Sequence, residues 1–517
     1  MKSIIFWGFT IALSVSLPSL AQMPQTEVPI VGETIDVRVV NVEAVITNAA
    51  GERVRGLAAG DFRLLVDGKE VPVEYFAEIA DGTSVKAENA PVAAGEEVAR
   101  NYLVYVDEAF SLAGRRNSVL EKMERDLALL GPADRMAVLA FDGTRIHVLT
   151  GWTGDKKTLQ AALAQARQRP ARGDEMLASQ RKLQADVTWI QDNADGIASG
   201  DSNRVGGPKV SEIGEEFDWM SRRISPEART GLGKSTEAAV AALGGFETPP
   251  GRRMMLLLSG AWSLSVAPRL YGPLVRTANQ LGYTVYPVDA SQSDATQGTA
   301  LDALARATGG RLLSSTSAAA FREAVSDSGT YYWLGFTPAW KADDHGHSMT
   351  VEVRRPGLTV RSRGGFSDLS RRTQAAMKAE SVLLFGGAQD DRRLLVELGE
   401  AKRTRGAFEV PVTLGVPVEA LALTPKGKGY AAEIPLAVST EEKDGRRSNL
   451  SGTRLRVELA SPPPAGTYAR FRTVVRVSDP QQRLIFSVHD PVSGHDLWGE
   501  RKQAPQGRQE VARQREP

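Results

Sequence analysis

The run Tyr102-Leu103-Val104-Tyr105-Val106-Asp107 is apolar until its last residue, which is an acid, and the chain continues Glu108-Ala109-Phe110-Ser111. A buried apolar strand that delivers an acidic residue at its C-terminal end is how open α/β sheets build ligand sites. The residues beyond it keep that pattern. Val119, Leu120, Met123, Leu127 and Leu130 share one helical face, and Gly131-Pro132 ends the helix. Met136–Phe141 reads as a second strand with Asp142-Gly143 as its turn, and Met254–Leu258 as a third. Leu270, Leu274, Val275, Ala278 and Leu281 form another helical stripe before Gly282. Tyr283–Val288 is a strand ending in Asp289, and Leu301, Leu304, Ala305 and Thr308 make a short helix closed by Gly309-Gly310. Repeated βα units of this kind imply a mostly parallel sheet with helices on both faces. Between Asp155 and Thr230 the pattern is irregular, although Leu183, Val187 and Ile190 keep helical spacing. This stretch reads as a helical excursion from the sheet.

The flanks have period two. Ile35, Val37 and Val39, then Val42, Ala44 and Ile46, alternate with a change of parity, and Phe62, Leu64 and Val66 turn at Asp67-Gly68 into Val71, Val73 and Tyr75. The stretch from Asp81 to Glu97 reads as a linker. After Gly329 the alternation returns in Tyr331–Phe336 and in Met349, Val351 and Val353. Ser370 caps a predicted helix through Ala376, Ala379 and Leu383, and the chain from Asp391 to Trp498 is β again. In that last stretch Ala469, Phe471, Thr473, Val475 and Val477 face inward, with Arg470, Arg472 and Arg476 outward. Neither 33–80 nor 329–368 is large enough to fold alone, so the two are expected to complete one sandwich into which 99–328 is inserted. The expected organisation is a signal peptide at 1–21, the β segment 33–80, an α/β domain at 99–328 with a helical insertion at about 155–230, the β segment 329–368, a C-terminal β-sandwich at 373–500 and a disordered tail at 501–517.

Composition narrows the function classes. The chain has 517 residues, room for about three domains of roughly 150 each. Its net charge of +1 supplies no global field for nucleic acid or an anionic membrane. Lys2, the apolar stretch Ile4–Leu17 and Pro18-Ser19-Leu20-Ala21 form an export signal cleaved near Ala21, and the apolar stretch is shorter than the roughly 20 residues that span a bilayer. With no cysteine there are no disulfides, no thiol nucleophile and no lipidated cysteine anchor. The expected location is periplasmic or extracellular.

The ordered set Val37–Glu43, Gly56-Leu57, Asp61-Phe62, Asp67-Gly68-Lys69, Met136–Asp142, Pro250–Arg253, Tyr331–Pro338 and Arg361–Phe366 resembles the exported VWFA-related (von Willebrand factor A-like) proteins of the Acidobacteria type, over roughly 33–366. The resemblance implies an α/β fold, a doubly wound Rossmann-like domain, with flanking immunoglobulin-like β-sandwich modules. It also implies protein binding at the top of the sheet through a divalent cation held by an Asp-x-Ser-x-Ser loop. A hard cation wants about six oxygens. Asp107 and Ser111 match that loop, but Ala109 replaces its first serine, and the strand end at Ser259-Gly260-Ala261-Trp262 brings no second acid. The loop threonine is either Thr230 or Thr236. With at least two ligands gone, the expected site is a degenerate one that holds no cofactor, and the competing role for Asp107 is to cap the next helix or bond backbone amides.

Other motifs carry less. Gly231-Leu232-Gly233-Lys234-Ser235-Thr236 ends like a phosphate loop, yet Ala228 stands where that motif needs glycine, so a turn leading into a helix from Ser235 or Thr236 is expected. Asp343-Asp344-His345-Gly346-His347 reads as a solvated hairpin loop, and no Gly-x-Ser-x-Gly elbow is present. The leading expectation is a non-enzymatic adhesion or scaffolding protein. It would bind a protein or cell-surface polymer through strand-end loops bearing Phe110, Asp142, Ser259, Trp262 and Asp289, with no nucleic acid and no membrane span. Phe110 and Trp262 serve either as exposed anchors or as residues buried under the helical excursion. The alternatives are an extracellular hydrolase or metal-dependent activity, and a structural envelope component without a specific ligand.

Overall fold

The computed structural model describes residues 39–174, 226–246, 248–260, 267–290, 300–313 and 320–370, part of a helix within 373–385, and 394–502 with short interruptions. The expected signal peptide, the tail after 502 and Trp262 lie outside the described residues. The chain is mixed α/β and rich in strands, with its strands distributed among several sheets.

The first strands are β1 (Val40–Thr47), β2 (Phe62–Val66), β3 (Lys69–Val71), β4 (Tyr75–Ala80) and β5 (Thr83–Glu88). Asp67 and Gly68 take φ of 50° and 76°, the two left-handed residues of a tight hairpin that suits the twist of β2 and β3. Asp81 and Gly82, with φ of 51° and 82°, turn β4 into β5 in the same way. The stretch expected to be a linker from Asp81 therefore contains a strand, β5, hydrogen-bonded to β4.

The α/β body follows. It holds β6 (Arg100–Asp107), α1 (Ala113–Arg125), β7 (Arg135–Phe141), β8 (Ile146–Thr153), α2 (Lys156–Gln168), α3 (Pro226–Gly245), β9 (Arg252–Ser259), α4 (Ala267–Leu281), β10 (Tyr283–Asp289), α5 (Ala300–Ala307) and α6 (Ala320–Gly329). Its sheet has the order β10-β9-β6-β7-β8, parallel except for β8, which returns from the Asp142-Gly143 turn as an antiparallel edge. Because side chains alternate along a strand, Leu103 and Tyr105 join one apolar cluster with α3, α4 and α5. Tyr102, Val104 and Val106 join another with α1, α2 and α6. Both described ends of the expected excursion are thus sheet-covering helices, α2 on one face and α3 on the other. Helix α3 begins at Pro226, so Gly231–Thr236 lies inside a helix rather than in a turn before one. Gly310 follows α5 where a Cβ would stand 1.9 Å from the Val285 carbonyl oxygen, so only glycine lets the chain pass β10 this closely.

Four strands complete the sandwich: β11 (Tyr331–Phe336), β12 (Gly346–Val353), β13 (Thr359–Arg361) and β14 (Gly365–Ser367). One sheet runs β13-β1-β11-β4-β5 and the other β14-β12-β2-β3, so strands from before and after the α/β body interleave in both. Between the sheets Val42, Leu64, Phe76, Leu334 and Val351 are buried together.

Beyond this, Ser370 accepts a hydrogen bond from the Thr373 amide at 3.2 Å, and Leu384 packs into the α/β body's cluster. The described helical residues within 373–385 therefore belong with the body and not with the expected C-terminal module at 373–500. That module consists of β15 (Leu395–Leu398), β16 (Lys402–Thr404), β17 (Ala407–Pro417), β18 (Thr424–Lys426), β19 (Gly429–Glu441), β20 (Arg447–Leu459), β21 (Tyr468–Val477), β22 (Arg483–His489) and β23 (Asp496–Lys502) in two sheets. They share a core around Val412, Ile434, Leu436 and Phe486. Along β21 the arginines are exposed while Val475 and Val477 are buried.

The junction of body and sandwich is charged. The Asp327 carboxylate, near the end of α6, accepts from Arg53 at 2.5 Å, from Arg361 at 2.6 and 2.7 Å, and from the Tyr286 hydroxyl at 2.7 Å. Burial alone would raise this carboxyl, but the Arg361 guanidinium, with Tyr286 and Arg53, holds it at about 2. A depressed carboxyl stabilises the fold above its ordinary value of 3.8, and that stability is lost as the pH falls through about 2. Asp327→Asn leaves two arginines facing a neutral group, and we expect urea unfolding at neutral pH to show a loss of about 3 kcal/mol. The deficit should shrink as the pH is lowered below 3.8.

Candidate functional site

Strands β6 and β9 are neighbours, and the chain leaves them toward opposite edges of the sheet: β6 leads to β7 on one side and β9 to β10 on the other. Asp107 and Ser259 end these two strands, so they meet at the point where the strand order reverses, the usual place for a site in an open α/β sheet. Asp107 is fully buried there. Its Oδ2 accepts from the Ser259 hydroxyl at 2.7 Å and from the Ser235 hydroxyl of α3 at 2.5 Å. Its Oδ1 accepts from the Ala109 amide at 3.2 Å. Ser111 turns its hydroxyl to the backbone, donating to the Asp107 carbonyl at 2.5 Å and to the Leu258 carbonyl at 3.3 Å.

Besides Ser259, the hydroxyl that reaches the carboxylate, where a loop threonine is expected, is thus Ser235 of α3. Thr230 is exposed, and Thr236 donates to the Leu232 carbonyl within its own helix. Ser235 is expected only as a helix start after a turn; with the helix beginning at Pro226, it stands inside α3 and faces the sheet. The available signal was a hydroxyl-bearing position on a helix whose neighbours, Leu232 and Ala238, are apolar.

A second layer closes over the loop. The Arg172 amide donates to the Glu108 carbonyl at 2.7 Å and the Gly173 amide to the Ser111 carbonyl at 3.0 Å. The Glu108 carboxylate is buried and paired with Arg169. Buried Arg116 donates to the carbonyls of Pro170 at 2.8 Å and Arg169 at 2.7 Å, which holds this covering segment in place.

The surface expected for partner binding is therefore revised. Phe110 is 5% exposed and packs with Leu232 in the body's core, so it is a core residue and not an exposed anchor. Ser259 and Asp289 are buried as well, opposite each other in the β9–β10 register. Asp142 alone among the described candidates reaches the surface, with its side chain 31% exposed. Its Oδ1 accepts from the Thr144 and Arg145 amides at 2.8 Å each, and its Oδ2 lies 2.6 Å from His147 Nε2, so it also shapes the β7–β8 turn. The Asp343–His347 loop is separate from this site: His347 Nδ1 lies 2.7 Å from Asp67 Oδ2 in the sandwich.

The electrostatics of Asp107 follow from its burial, which raises its carboxyl to about 6 against the opposing hydroxyls of Ser235 and Ser259 and the amides of Ala109 and Phe110. The charge is felt nearby. Burial and then the Asp107 charge push the Tyr105 and Tyr271 hydroxyls upward, and neither has a hydrogen-bond partner among the described residues.

A carboxyl whose folded value is raised favours the folded state most below its unfolded value, and this contribution is lost as the pH rises through the folded value. For Asp107 that window runs from 3.8 to about 6. We expect Asp107→Asn, which cannot ionise, to gain stability relative to the parent across this window, by on the order of 2–3 kcal/mol at its upper end. Urea midpoints measured as a pH series check this. A constant difference between the two proteins would show that Asp107 does not titrate in the window.

No protein-family model matches this chain, and no curated protein matches it. Among solved structures it is similar to Bacteroides uniformis β-glucuronidase, at 11% identity and a TM-score of 0.14, over 33% of this chain and 18% of that one. The shared portion is a small part of both proteins, and a likeness at that level carries no argument about fold or activity.

Proposed function

We propose that this chain is an exported, non-enzymatic binding or scaffolding protein of the VWFA-related kind. Its α/β body is read as a doubly wound von Willebrand factor A-like domain, and its partner as a protein or cell-surface polymer met at the loops beyond the strand ends. The observation that carries this reading is the Asp107 centre. An acid stands at the end of the central strand, where such domains place their metal-binding loop, and protein hydroxyls from α3 and β9 meet it.

The donor set suits hydroxyl capping better than a divalent cation. Ala109 contributes a methyl where the loop needs an oxygen, Ser259 contributes a neutral hydroxyl where it needs a carboxylate, and Asp107 is closed from solvent. In this reading the centre is a structural hub that ties α3 and β9 to the loop. Contact with a partner then falls to the outer part of the same end, where the Asp142 turn is exposed. Among the described residues no helix is long and apolar enough to cross a membrane.

Hydrolysis finds less support: the Ser235 and Ser259 hydroxyls meet the Asp107 carboxylate, but all three groups are buried, so a substrate does not reach them.

Calorimetric titration of the mature protein with Mg²⁺, Mn²⁺ and Ca²⁺ is expected to give no saturable heat, with identical traces for Asp107→Ala. Saturable binding that disappears in Asp107→Ala would sink the metal-free reading. Capture from envelope extract on the immobilised protein is expected to retain a specific protein or polymer, and recovery of nothing would leave the structural-component alternative standing.

A further inference from the structure

A cavity of about 600 Å³ lies at the other end of the parallel sheet, where β9 and β10 begin and the body meets the sandwich. Its volume is in the range of small-molecule sites, roughly 300–1,000 Å³. Its walls differ in character. Val92, Val98 and Trp333, which pack on the same apolar cluster, line one side. Glu43, Arg252 and Arg363 line the other, with Arg253 beside them.

The charges on the inner side do not cancel. Arg252 and Glu43 approach at 3.3 Å, and the Arg252 guanidinium also lies 3.9 Å from the centre of the Tyr331 ring. Arg363, only 9% exposed, donates to the backbone carbonyls of Asn279 and Asn41, and among the described residues no carboxylate lies within ion-pair distance of it. Arg253 donates to the Leu281 carbonyl at 2.9 Å and likewise has no ion pair among the described residues. Glu96 and Glu97 also line the cavity, but both are exposed, so water and salt screen them. The enclosed part therefore holds more cationic than anionic charge, and a buried cation without a counter-ion is costly. Consistent with this, burial pulls the Arg363 guanidinium down to about 10 against the opposing pull of Glu43.

We propose that this cavity is a binding site for a small amphipathic anion, an aromatic or apolar body laid against Trp333 and Val92 with one acidic group drawn to Arg253 and Arg363. The proposal does not rest on the role assigned to Asp107, which lies at the opposite strand ends.

Two dyes of nearly equal shape test it on the full chain: 8-anilinonaphthalene-1-sulfonate, and N-phenyl-1-naphthylamine, which lacks the sulfonate. The sulfonate dye is expected to bind at a single site by calorimetry and to bind at least about tenfold more tightly than the neutral one, the margin a charge-assisted contact supplies. Arg363 bridges β1 and the end of α4, so its removal endangers folding; Arg253→Gln and Val92→Asp are the informative variants. Arg253→Gln should weaken the sulfonate dye by about fivefold to tenfold and leave the neutral dye unchanged. Val92→Asp should weaken both dyes, with unfolding midpoints close to the parent's. Equal affinity for the two dyes, weak binding at several sites that ignores both substitutions, or no binding at all would each overturn the proposal.

Discussion

The Asp327 carboxylate is the contact on which the arrangement of body and sandwich depends. It belongs to the last helix of the body, yet its oxygens are taken by Arg53 from one half of the sandwich, Arg361 from the other and Tyr286 from the sheet. One charge thus ties together segments far apart in sequence. A buried ion pair stabilises little relative to a well-packed apolar contact, but breaking one partner strands the others. The geometry is therefore defined by a mutual requirement: the buried carboxylate needs both arginines, and Arg361 adds a bond to the Gly309 carbonyl at 2.6 Å. Arg363 serves the same junction with backbone acceptors in place of a carboxylate.

The two ends of the parallel sheet have opposite electrostatic problems. At the carboxyl ends, Asp107 is enclosed, with hydroxyls and amides but no ion pair among the described residues, and burial raises its proton affinity. At the amino ends, arginines gather around Glu43 and a cavity remains. Open α/β sheets ordinarily place their ligands at the carboxyl ends. Here, among the described residues, Phe110 packs into that end and the segment around Arg169–Gly173 covers the Asp107–Ser111 loop, while a cavity lies at the other end.

Much of the architecture can be read from local pattern. The apolar runs at Tyr102, Met136, Met254 and Tyr283 are long and unbroken because strands inside a covered sheet have no wet face, and the Asp67-Gly68 turn is legible because left-handed backbone favours those residues. The same signal stood at Asp81-Gly82 and was outweighed by the Ala, Gly and Glu residues after it, which hid β5. The site was harder. Asp107 and Ser111 stand out by spacing, but Ser235 lies far away in sequence and reaches the carboxylate only through the packing of α3 on the sheet. The burial of Phe110, Ser259 and Asp289 was illegible for a related reason: exposure at a strand end depends on which distant segment lies over it, and no periodicity encodes that.

The interleaving of β1, β11 and β4 has a mechanical consequence. The chain enters and leaves the α/β body side by side: the Gly82 amide donates to the Gly329 carbonyl, and the Val98 amide donates to the Gly82 carbonyl. Val40 pairs with Phe336 and Ala44 with Tyr332, so the outer ends of β1 and β11 lie at one end of their ladder, and tension between them opens it one hydrogen bond at a time. The body joins β11 at the other end of that ladder, and the Asp327 and Arg363 contacts tie it to the sandwich as well. A pull between these two strands therefore works on the sandwich first, as on a clasp that must open before the body takes load.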